Sequence, residues 1–234
     1  MTTEQHLGRM GAVAAVGGAV TLFTATMLHP MSADPNDPVA AFAEYAADAH
    51  WVATHLGQFL GIAVLAAALV ALARVMQPGR PAAWARIGVA GTSASVATAA
   101  ALQAVDGVAL KLAVDRWSRA TGDTRMRAFE AAFAVRQVEV GLASMLSTVF
   151  GLTIAVFGVA MLAGRRFPAW LGWVGLVGGF GSIAAGIAQA YTAFSALSMN
   201  VSLSASTALL VWAVGVGVFL WRLVPELPGD AATG

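Results

Sequence analysis

The sequence contains no cysteine. Disulfides, thiolate metal sites, iron–sulfur clusters and redox pairs are therefore excluded, and any metal would have to be held by imidazole or oxygen. Charge is scarce too. Only 11% of the 234 residues are Asp, Glu, Lys or Arg, against about 25% in a soluble domain. The net charge is +1, which removes any reason to invoke nucleic acid. The single lysine, Lys111, lies near the end of its apolar stretch, so a buried Schiff-base lysine is absent as well. No HExxH, HxxxH or phosphate-binding glycine pattern occurs in a fitting context. A bis-histidine transmembrane haem also fits poorly, since all four His residues lie at position 55 or earlier.

What the chain does have is apolar length. Hydrophobic residues make up 59% of it, and a helix needs roughly 20 of them to cross about 30 Å of hydrocarbon. Stretches free of Asp, Glu, Lys and Arg run 10–33, 49–73, 87–105, 140–164 and 167–221. The last is long enough for two crossings and breaks at Ser195–Asn200. This gives one domain over 1–234, an all-α integral membrane protein built as a six-helix bundle. The spans fall at about 10–29, 51–74, 85–110, 136–162, 168–193 and 201–222. The first apolar core, about 19 residues, exceeds the 7–15 of a signal peptide and is read as a span.

Arg9, Arg74, Arg80, Arg86, Arg165, Arg166 and Arg222 gather on one side of this arrangement. The positive-inside rule then places both termini in the cytoplasm and the chain in the cell (inner) membrane. Loop 111–136 runs against this, carrying Lys111 and five arginines on the outer side. Trp84, Trp170, Trp173 and Trp221 are expected at the inner interface, and Tyr45, Trp51 and Trp117 at the outer one. Asp37-Pro38 starts a short helix at that outer interface, with Val39, Phe42 and Ala46 on its apolar face. Pairs such as Lys111–Asp115 and Arg136–Glu139 extend spans three and four beyond the bilayer as a charged hairpin.

Segments 50–106 and 136–192 also resemble each other at an offset of 86 residues, with Trp84 on Trp170 and Gln103 on Gln189. That describes a parallel two-helix repeat of spans two–three and four–five. The fifth span is rich in glycine, including Gly175-xxx-Gly179, which suits close helix packing within the chain or between copies.

Polar side chains concentrate in the outer halves of the spans. His29, His50, His55, Gln58, Gln103, Asp106, Arg136, Gln137, Glu139, Gln189 and Tyr191 all fall there, whereas 61–73, 149–163 and 208–221 hold no charged, amide or imidazole group. Ionisable groups inside a membrane face a bundle interior or a watery cavity and find partners. The expected form is an outward-facing polar vestibule above an apolar plug. His50 and His55 are five apart, about 140° around a helix, so His55 is the one placed inside. Asp106 has no opposite charge on its own helix face and needs a partner from another helix.

Three functions fit this cluster. The first is binding or transport of a small amphiphilic or lipid-like molecule by His55, Gln58, Gln103, Asp106, Arg136, Gln137, Glu139, Gln189 and Tyr191. The second is a membrane-embedded enzyme with His55, Asp106 and Glu139 as acid and base acting on a lipophilic substrate. The third is a metal or haem site using His29, His50 and His55. The expected partners are the bilayer, a lipophilic small molecule and, through the fifth span, a second copy of the chain.

Overall fold

The computed structural model describes residues 2–226. Eight α-helices follow one another, with no strand among the described residues: α1 (Thr3–Met27), α2 (Pro38–Ala47), α3 (Trp51–Arg74), α4 (Arg80–Gln103), α5 (Lys111–Arg119), α6 (Gly122–Leu162), α7 (Ala169–Thr192) and α8 (Ala196–Leu223). A π-helical segment, Ala104–Leu110, joins α4 to α5 without a break. Six helical stretches are long and apolar enough to cross a membrane: α1, α3, the continuous rod Arg80–Arg119, α6, α7 and α8. All six expected spans are present. The two extended ones reach 40 and 41 residues, well over the roughly 20 a crossing needs.

Local signals set the helix ends. α1 opens on a capping box between Thr2 and Gln5. In α2, Asp37 accepts from the amides of Val39 and Ala40 with Pro38 at the first helical position. α3 and α4 are joined through Gly79, whose φ of +93° suits glycine and poorly suits a residue with a Cβ. The turns 75–79 and 163–168 lie side by side, because Arg165 donates its amide to Gln77 Oε1 and Arg166 donates to the Val75 carbonyl.

Small residues let the bundle close. Antiparallel α6 and α7 meet at Ser144/Gly186, Gly151/Gly179 and Gly158/Gly172, a step of seven residues on each helix. At the middle rung a Cβ on Gly179 would lie 2.6 Å from the Gly151 carbonyl oxygen. The glycine-rich face of the fifth span is thus taken up inside the chain. α7 in turn receives α8, with Gly175 against Trp212 and Gly181 against Ala205.

Two cores result. One fills the end where α1 starts and α8 finishes, and the middle of the bundle, around Leu72, Phe157, Met161, Leu171, Val216 and Leu220. The other lies at the opposite end, beneath α2, around Phe42, Tyr45, Trp51, Leu110, Val114 and Trp117. This second core corrects the expected aromatic belt. Tyr45, Trp51 and Trp117 are buried, Trp51 completely (0% exposed), whereas Trp84, Trp170, Trp173 and Trp221 stay exposed at the terminal end. Burial won because each aromatic removes about 150–250 Å² from solvent, and α2 folds down over Trp51 and Trp117, burying its own Tyr45 and Phe42 against them. The buried face of α2 is therefore Ala41, Phe42 and Tyr45, and Val39 points outward.

Candidate functional site

At the α2 end, α3 begins with Trp51 and His55 one turn apart. His55 Nδ1 donates to the Trp51 carbonyl at 2.7 Å, which leaves Nε2 directed at Asp106 Oδ2, 3.1 Å away. Asp106 thus finds its cross-helix partner in His55, and it is presented by the π-helical segment. A π-helical turn is wider than an α-helical one and is often found at functional sites. Trp51 fixes this turn by donating its indole N–H to the Asp106 backbone oxygen at 2.9 Å. Gly107 permits the close approach, since a Cβ there would lie 2.5 Å from the Cβ of His55.

His29 enters from the chain just after α1. Its Nδ1 donates to the Pro30 carbonyl at 2.8 Å. Its ring packs at 4.8 Å from Trp51 and 5.1 Å from His55. Burial and neighbouring His55 lower the pKa of His29, which favours the neutral imidazole. One donor atom each from His29, His55 and Asp106 lies within 4.8 Å of the other two. The two imidazoles and Trp51 are packed together, with no gap for a porphyrin between the rings.

Beside this group Arg136 and Glu139, one turn apart on α6, pair at 2.5 Å. Both residues are buried, Arg136 7% and Glu139 2% exposed. The guanidinium is held between Tyr45 and Phe194, 5.4 and 4.6 Å from the ring centroids, as in a cation–π clamp. Phe194 reaches it because Ala193 adopts a left-handed φ of 49°, an unusual and costly conformation for alanine. Asn36 Nδ2 donates to the Phe194 carbonyl and ties that turn to the loop before α2. Burial pushes the Tyr45 hydroxyl up to about 12, so it remains a neutral phenol.

α2 closes the site from above. Lys111 donates to the carbonyls of Tyr45 and Ala46 at 2.9 and 3.0 Å, satisfying the last turn of α2, and pairs with Asp115 at 3.0 Å. Glu44 accepts from the amides of Ser32 and Ala33 and folds the preceding loop back over the helix. His55, Arg136 and Glu139 therefore lie under α2 and Phe194 and do not line an open mouth.

The remaining sequence-expected residues divide. Gln103 is buried and donates to Gln58 Oε1 at 3.2 Å, with its own Oε1 unpartnered. Gln189 is buried with Nε2 unpartnered, and Asp106 Oδ1 is unpartnered too. His50 precedes α3 at the surface, apart from the other imidazoles, and Gln137 is exposed. Tyr191 is 87% exposed and far from joining the cluster. Sequence reasoning did not assign Trp51, Gly107, Tyr45 or Phe194 to the site. Asp106-Gly107 inside an apolar helix was the one local signal available.

Fold and site together define a polytopic helical membrane protein with a buried, partly unpartnered polar cluster at one end of its bundle. Residues 10–222 match the family described as Domain of unknown function (DUF4386), and the chain belongs to that family. No curated protein and no solved structure matches it.

Proposed function

We propose that the chain binds a small amphiphilic or lipid-like molecule, with the tail between α1 and α8 and the polar head toward the Arg136–Glu139 end. The observation that carries this is a cavity of about 300 Å³ enclosed by α1, α3, α6, α7 and α8. That volume is at the lower end for small-molecule sites, about 300–1,000 Å³. Leu22, Ile62, Phe150 and Leu209 give it an apolar wall, and Ser182, Ser202 and Ser206 add hydroxyls. Phe23, Met27 and Leu203 at its edge are exposed, so it communicates with the lateral face of the bundle. α1 and α8 meet closely toward the other end, where Gly217 sits on Ala12 and Val16.

Depth supports the same reading. Seven residues separate His55 from Ile62 on α3, Glu139 from Leu146 on α6 and Ser182 from Gln189 on α7. Each interval is about 10 Å of helix. The polar cluster thus stands above the cavity as a headgroup stands above its first methylenes, and Gln189 Nε2 has a free donor to offer.

Native mass spectrometry of the detergent-purified protein tests this. Wild type is expected to retain one lipid-sized adduct per chain, and Ser206→Trp, which fills the lateral opening, to lose at least tenfold of that occupancy. Equal retention by both proteins would remove the reading.

In the same proposal both termini are cytoplasmic and the membrane is the cell (inner) membrane, supported by the arginines at the terminal end. Because the chain lacks cysteine, an introduced thiol is the only one. Exposed positions 83 and 118 lie at opposite ends of the rod Arg80–Arg119. A membrane-impermeant maleimide added to intact cells is expected to label Ser118→Cys and spare Ala83→Cys. The reverse pattern would invert the orientation.

A further inference from the structure

We propose that His29, His55 and Asp106 bind a divalent transition-metal ion, through Nε2 of each imidazole and the Asp106 carboxylate. The three residues stand apart from the lipid cavity, and the tautomers of the two rings point to a shared ligand. A backbone carbonyl can only accept a hydrogen bond, so the nitrogen facing it must carry the proton. His29 Nδ1 faces the Pro30 carbonyl and His55 Nδ1 faces the Trp51 carbonyl. In its neutral form each ring is left with its lone pair on Nε2. This is the pattern of metal-ligating histidines, where a second hydrogen bond fixes the tautomer and the ring orientation.

The lone pair of His55 Nε2 then stands 3.1 Å from Asp106 Oδ2, an acceptor facing an acceptor. Something positive has to lie between or beside them. A proton shared by His55 and Asp106 relieves that one contact. It leaves Asp106 Oδ1 buried without a partner and does not engage His29, whose Nδ1 bonds the Pro30 carbonyl. A cation bound by all three groups accounts for both. One ligand-type atom from each of the three residues lies within 4.8 Å of the other two. Bonds of about 2.0–2.2 Å place neighbouring ligands roughly 3–3.5 Å apart, so the site needs to contract by about an ångström. His29, on the chain beyond the last turn of α1, is the ligand placed to move.

The surroundings are built for holding rather than for chance proximity. Trp51 positions two of the three ligands, His55 through its carbonyl and Asp106 through its indole N–H. The π-helical segment turns Asp106 toward α3, and Gly107 lets the two backbones approach. Two imidazoles and one carboxylate are a borderline donor set that suits zinc or ferrous iron and leaves coordination positions open. Calcium and magnesium, which prefer oxygen, are disfavoured.

The test uses the full-length protein purified in detergent, stripped with chelator and titrated with Co²⁺, read by its visible d–d absorption, and with Zn²⁺ in competition. One Co²⁺ per chain with a nitrogen–oxygen ligand spectrum is expected, displaced by Zn²⁺. His29→Ala, whose ring lies outside the helices, is expected to weaken Co²⁺ binding at least a hundredfold while leaving the helical circular dichroism unchanged. Asp106→Asn should act similarly, and His50→Ala should bind as wild type does. Absence of a stoichiometric spectrum in wild type would overturn the proposal, as would equal binding by His29→Ala or loss in His50→Ala. Lipid retention is read separately, so either proposal can fail alone.

Discussion

Replacing Arg136 by methionine is expected to destabilise the folded bundle by roughly 3–5 kcal/mol, the usual cost of removing one partner of a buried ion pair. The size follows from where the pair sits. Glu139 is 2% exposed, its oxygen is 2.5 Å from the guanidinium, and Asp106 is a second acid that repels it. Without Arg136 the Glu139 carboxylate is left in a poorly hydrated space with no guanidinium beside it. The Tyr45 and Phe194 rings lose the charge they flank. Changing both residues, Arg136→Met with Glu139→Leu, is expected to recover most of the loss, since it removes the isolated charge as well as the attraction. Equilibrium unfolding in mixed micelles measures all three variants. A single-mutant loss below about 1 kcal/mol would mean that the pair behaves like a solvated surface bridge.

Gly179→Val is expected to cost at least about 3 kcal/mol, the upper part of the range for overpacking, and to leave much of the protein aggregated. The obstacle is backbone: a Cβ at 179 meets the Gly151 carbonyl oxygen at 2.6 Å and the Ala155 nitrogen at 2.8 Å. Neither can rotate away, so α6 and α7 must separate. Separation at the middle rung also opens those at Ser144/Gly186 and Gly158/Gly172. Gly141→Ala is the control. It lies on α6, the partner helix, with nothing within 4 Å of an added Cβ, and alanine is the better helix former by about 1 kcal/mol. Size-exclusion profiles and thermal unfolding in detergent compare the two. A monodisperse, equally stable Gly179→Val protein would show that the ladder tolerates being spread.

The six crossings were legible in the sequence because hydrocarbon thickness imposes a length that few other constraints mimic. Charge-free runs bounded by Arg74, Arg165 and Arg222 marked the spans at the terminal end to within a few residues, whereas α1 starts at Thr3, seven residues before the start expected after Arg9. The polar end was legible only as a level in the bundle. Helical periodicity placed His55 inward and His50 outward. It could not register the π-helical turn, which rotates Asp106 relative to a regular helix and brings it to His55. Nor could composition tell a belt aromatic from a buried one. Trp51 and Trp173 both lie near the start of an apolar run, yet Trp51 is buried beneath α2 and Trp173 is exposed. Gln137 and Tyr191 share the depth of the site but face away from it, a distinction that requires knowing which helices stand on each side.

α6 runs unbroken for 41 residues, about 60 Å at 1.5 Å per residue, twice the thickness of the hydrocarbon layer. One rod therefore carries Ala128 and Ala132 in the core under α2, the Arg136–Glu139 pair, and the small-residue contacts with α7. Mechanically it is a lever whose fulcrum is the α7 seam. A push on the hairpin of α5 and α6, from water or from the headgroup layer, cannot be absorbed by a hinge partway along. It is delivered as a tilt to the buried charges and to the wall of the lateral cavity at once.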